Sequence, residues 1–131
     1  MPSRTDPATR IAALRAQCDG PRDGALLRVM LGQALADAGQ HAAAGVEFGR
    51  ALDFDAGYSA AWKFLGHARL AAGDAAAAAA VWRQGIATAE ARGDVQAAKE
   101  MRVFLRRLEA AGDPAAATAA PAAQKSRLTP R

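Results

Sequence analysis

Apolar residues recur at helical spacing along most of the chain, and glycine-bearing turns cut them into six segments. Near the start, Ile11, Leu14 and Cys18 form one stripe. Near the end, Val95, Ala98, Met101, Leu105 and Leu108 share a side with Phe104 adjacent, opposite Lys99, Arg102, Arg106 and Glu109. The punctuation between stripes predicts the elements. Asp6-Pro7, a capping residue followed by proline, opens a helix to about Cys18, and Gly20-Pro21 breaks it. A second helix is predicted over 22–38, ending at Gly39, and a third over 41–54. Gly57 and Ser59 mark a break, with Ser59 placed to cap a fourth helix over 60–72. Gly73-Asp74 stops that helix and caps a fifth over 75–92. Gly93-Asp94 repeats the device before a sixth helix over 95–111, which ends at Gly112-Asp113-Pro114. Such short links force antiparallel neighbours, so the expected architecture is all-α, six helices in stacked hairpins.

A shift of 34 residues superposes several unusual features at once. Leu31-Gly32 falls on Leu65-Gly66, Gly39 on Gly73, Ala44 on Ala78, Phe48 on Trp82, and Ala51-Leu52 on Gly85-Ile86. The small residues let paired helices approach closely, and each ring wedges between hairpins, burying roughly 150–250 Å². Trp62, Leu65, Gly66, Ala78 and Trp82 around the Gly73-Asp74 turn resemble the tetratricopeptide repeat (TPR). Arg28, Leu31, Gly32, Leu35, Ala44, Phe48 and Ala51 resemble an earlier copy. Arg28 and Arg69 depart from the family's aromatic positions, and Ala56 and Glu90 stand where a proline would close each repeat.

The resemblance implies a right-handed α-α superhelix. The expected domain spans 1–112, with repeats at about 25–58 and 59–92, capping helices at about 7–18 and 94–111, and a disordered tail over 113–131. Two repeats alone leave apolar faces uncovered, which is what the flanking helices answer. The last helix does not continue the Leu-Gly pattern, so it reads as a solubilising cap rather than a third repeat.

Alanine fills 38 of the 131 positions, which favours close-packed helices over a β-sandwich. The one cysteine, Cys18, has no partner for an internal disulfide, and it reads as a small packing residue in a reducing compartment. No charge-free apolar run is long enough to span a bilayer, and no secretory signal is visible, so the expected location is cytoplasmic. The formal net charge of +4 arises wholly from residues 99–131, which hold seven basic and three acidic residues. That excess is slight for a nucleic-acid binder.

Enzyme chemistry finds no support. The two histidines fall in no metal spacing, and no glycine-rich phosphate loop precedes a helix, so neither catalysis nor a cofactor is expected. In TPR domains the first helix of each pair lines a concave groove that holds a peptide. Carried over by position, the groove here is expected to show Leu26, Val29, Gln33 and Asp37 from the first copy. The second copy contributes Lys63, His67, Leu70 and Ala71, with Tyr58 at the junction. Lys63 and His67 share a helix face and are spaced to grip a carboxylate; the blander reading is a solvated lysine beside a surface histidine. Val29 and Phe64 stand where a chaperone-tail clamp needs polar groups, which argues against that ligand. The expected partner is therefore a protein or peptide held in the groove by a monomer or weak homodimer, with no membrane. The alternative is weak nucleic-acid or anionic-surface binding through Lys99, Arg102, Arg106, Arg107 and the basic tail. The competing explanation for those residues is a charged face that keeps the cap soluble.

Overall fold

A computed structural model of the chain describes residues 6–112, and the described residues contain helices and turns but no strand. The elements are α1 (Pro7–Arg15), α2 (Ala25–Asp37), α3 (His41–Phe54), α4 (Ser59–Ala71), α5 (Ala75–Arg92) and α6 (Val95–Ala111). The stretch 113–131, expected to be a disordered tail, lies outside the described residues.

Three helix ends use one device. Gly39, Gly73 and Gly93 sit at φ +80°, +92° and +78°, the left-handed region that glycine enters without a Cβ penalty. After each, the next residue donates its N–H back five residues: Gln40 to the Leu35 carbonyl, Asp74 to that of Arg69, and Asp94 to that of Ala89. At two of these turns the same residue begins the following helix. The Asp74 carboxylate accepts the Ala77 N–H at 2.9 Å, and Asp94 accepts that of Ala97 at 3.1 Å. At α1, Asp6 caps through the Thr9 N–H at 3.0 Å.

Three element boundaries differ from the sequence reading, each for a local reason. Helix α1 stops at Arg15 because Gln17 and Cys18 bond to carbonyls three residues back and tighten the chain out of α-geometry. Helix α2 starts at Ala25 rather than Arg22 because Asp23 belongs to the turn, accepting the N–H groups of Asp19 and Gly24. Ser59 does not cap α4. It is the first helical residue, and its hydroxyl donates to Asp94 at 2.7 Å, tying α4 to the start of α6.

Each helix packs on the next, and α2 also touches α4, as α4 touches α6. The first helices of successive hairpins therefore lie side by side. Two buried clusters hold the stack. The first gathers Leu27, Leu31, Leu35, Ala44, Phe48 and Leu65 with Ile11 and Leu14 of α1; the second joins Trp62, Ala78, Trp82 and Ala89 to Met101 of α6. Phe48 and Trp82, the repeat-equivalent rings, are 2% and 1% exposed. Each lies over the glycine of its own hairpin: a Cβ on Gly32 would come within 2.5 Å of Phe48, and one on Gly66 within 2.0 Å of Trp82. Both indoles find acceptors, Trp62 donating to the Ala56 carbonyl at 2.8 Å and Trp82 to that of Lys63 at 3.3 Å.

Arg28, the departure from the repeat pattern, is buried as the hub of an ion network. Its guanidinium forks onto Asp23 at 2.8 and 2.7 Å, reaches Glu47 of α3 at 2.9 Å, and contacts Asp19 at 3.5 Å. Glu47 is buried too and also pairs with Arg50 at 3.0 Å. The fork on Asp23, with the Asp19 N–H, holds that carboxyl well below the usual range, and the same carboxylates push Arg28 up. An aromatic contact has been replaced by a charged clamp between the α1–α2 turn and α3.

Candidate functional site

The side-by-side first helices leave a groove of about 390 Å³, lined from four helices. Its floor is apolar. Phe48 and Phe64 stack there with ring centroids 5.5 Å apart, beside Ala36, Ala68 and Ala71. Its walls are polar: Gln33 and Asp37 from α2, His41 from the start of α3, His67 from α4, and Arg10 from α1. Neither Arg10 nor Asp37 makes an ion pair among the described residues.

His67 is the most constrained of these side chains. Its ring stands edge-on to Trp82, 5.0 Å between centroids, and tilts against Phe104 at 4.5 Å. Loss of water on that side lowers its pKa, and Lys63 one turn earlier acts in the same direction. The ring is therefore mainly neutral at pH 7, with one nitrogen to donate and one to accept.

The structure divides the nine residues singled out from sequence. Gln33, Asp37, His67 and Ala71 are brought together in the groove. Val29 is a correction. It is 3% exposed and belongs to the first buried cluster, with Leu31 of α2 and Ala61, Leu65 and Ala68 of α4. Lys63 does not line this groove and pairs with Glu100 of α6 at 2.7 Å. That pair sits in a second, more polar cleft of about 400 Å³, where Tyr58, Asp55, Arg92, Asp94 and Gln96 also lie. Glu100 is held below its ordinary pKa chiefly by Lys63. Leu26 and Leu70 are exposed but line neither depression.

Arg10, His41 and Phe64 were not picked out as groove residues from sequence. A signal existed for part of the wall: Gln33 and His67 are 34 residues apart, as are Asp37 and Ala71, and all four line the groove. Arg10 lies outside the repeats, so no offset points to it. The basic face of α6 is partly spent internally, Arg102 pairing with Glu90 and Glu109 with Arg83 of α5. The Cys18 thiol is half-buried, donates to the Leu14 carbonyl at 3.6 Å, and is pushed up in pKa chiefly by burial. No group of three or more His, Cys, Asp or Glu side chains suited to a metal ion occurs among the described residues. No helix among them is long and apolar enough to cross a membrane.

Two hairpins in 34-residue register, flanked by further helices and grooved along the first helices, define a short helical-repeat protein. No protein-family model matches the chain. It is 53% identical over 89 residues to the TPR repeat-containing protein PA0015 of Pseudomonas aeruginosa, a match covering 68% of this chain and 85% of that protein. It also resembles the solution structure of protein BPP2914 from Bordetella parapertussis, at 44% identity and a TM-score of 0.67, covering 83% of this chain and 90% of that one. The chain belongs to the TPR repeat proteins.

Proposed function

We propose that the chain is a non-enzymatic protein-interaction module whose groove between α2 and α4 holds a peptide or protein segment. The observation that carries this is the groove's composition. Stacked phenyl rings and three alanines make an apolar floor, while Gln33, Asp37, His41, His67 and Arg10 offer donors and acceptors above it. An apolar side chain of the partner seats on Phe64, and the walls orient its backbone. With only two repeats the contact is short, and binding is weak and transient. The alternative, nucleic-acid or anionic-surface binding through the basic face of α6, is supported by no comparable depression among the described residues.

The test pairs two substitutions at neighbouring exposed positions. Ala71→Trp places an indole in the groove, and Ala72→Trp places one just outside it. Proteins captured by the wild type and identified by mass spectrometry are lost with Ala71→Trp and kept with Ala72→Trp. Equal capture by both variants refutes the groove reading.

A further inference from the structure

We propose that α1 is a strap: it lifts off α2 while α2–α6 stay folded, and so sets how much of the groove lies open. The proposal concerns regulation of the groove and rests on the reading above.

Among the helices, α1 packs on α2 alone. It is the shortest, at nine residues, and only Ile11 and Leu14 anchor it in the core. Its N-terminal cap is local, Asp6 to Thr9, so the helix carries its own start wherever it lies. The link behind it has the features of a pivot. Asp19 is the single non-glycine residue at positive φ among those described, at +66°, and its side chain is 94% exposed. A few residues on, the link is clamped: Asp23 holds Arg28 by two bonds, and Arg28 holds Glu47. The clamp reaches back to Asp19, whose N–H donates to Asp23 at 2.8 Å and whose carboxylate contacts Arg28 at 3.5 Å, so bending is confined to residues 16–19 and the far end of the link stays on α2 and α3 with α1 docked or undocked.

What α1 covers gives the motion its consequence. Arg10 forms part of the groove wall. Ile11 and Leu14 complete the buried cluster that also holds Leu27, Leu31 and Ala34 of α2. Lifting α1 removes the cation from the wall, opening the groove on that side, and withdraws two apolar side chains from that cluster, baring apolar surface on α2.

Hydrogen exchange on the full chain without any ligand, read by mass spectrometry, tests the hinge. Amides of residues 11–16 exchange at least roughly tenfold faster than those of α3, and Ile11→Ala accelerates them again while leaving α3 and α5 unchanged. Exchange of α1 at the rate of α3, or acceleration of all helices together by Ile11→Ala, overturns the strap. A second measurement tests the covering role. In Leu14→Asp, provided the cooperative thermal transition survives, emission of the dye anilinonaphthalene sulfonate rises at least roughly twofold over wild type. Emission equal to wild type overturns that role, and if the transition is lost the rigid alternative stands, because α1 is then integral to the fold. Rates in α1 do not depend on whether the groove has a partner, so a failed strap leaves the groove reading intact and a failed groove leaves the hinge intact.

Discussion

Replacing Gly66 with alanine tests the packing on which the hairpins depend. The new methyl carbon would stand 2.0 Å from Nε1 of Trp82, 2.3 Å from Cε2 and 2.5 Å from Cδ1. These atoms belong to a rigid ring, 1% exposed, bonded to the Lys63 carbonyl and packed against His67 and Phe104. The indole has to move as a body. Overpacking costs about 1–3 kcal/mol, and losing the indole hydrogen bond about 0.5–1.5 kcal/mol more. Alanine's better helix propensity returns up to about 1 kcal/mol. The net loss is about 0.5–4.5 kcal/mol, and each kcal/mol lowers the melting temperature of a domain this size by roughly 4–8 °C. The control is Gly49→Ala, also inside a helix but with no atom within 4 Å of the added carbon, which is expected to stabilise by up to about 1 kcal/mol. Far-UV circular dichroism melts and urea titrations of the two variants read the difference directly. A Gly66→Ala protein as stable as wild type, beside a Gly49→Ala protein that gains nothing, would refute the close-approach account.

Arg28→Ala leaves Glu47 and Asp23 beneath the surface without their common partner, and is expected to cost about 3–5 kcal/mol by urea titration. Gly73→Ala forces a Cβ into the left-handed region and should lower stability by about 1 kcal/mol, with Gly73→Asn losing less. The depressed pKa of His67 makes the folded state resist its protonation. Its contribution is complete above the unfolded value of about 6.5 and declines as pH falls below it, so His67→Gln flattens the melting-temperature profile there. Asp23, depressed in the carboxylate sense, adds a separate loss that begins only below about pH 4 and is absent in Asp23→Asn.

The helices were legible because their ends are written locally: Gly73-Asp74 and Gly93-Asp94 each spell both a stop and a start within two residues. The packing was legible because Gly32 with Phe48 and Gly66 with Trp82 obey one offset. The site was legible only where that offset still applied. Gln33 and His67 share the groove, but the next equivalent pair, Val29 and Lys63, is lost from it in two different ways. Val29 was claimed by the buried cluster, and Lys63 by Glu100 of α6, a helix outside the repeats. Repeat position says which way a side chain sets out, not what a non-repeating neighbour lays over it. Arg28 failed to read for a related reason, since its partners at 19, 23 and 47 come from segments that no periodic pattern links. The hydroxyl of Ser59 is the same case, committed to a carboxylate 35 residues away.

The turns at Gly39 and Gly73 are copies of one joint, 34 residues apart, and neither holds a spare residue. In-frame duplication of residues 40–73 would hand the inserted segment a matching glycine at entry and exit. Longer descendants of this scaffold are then reachable in a single recombination event, with no junction to rebuild.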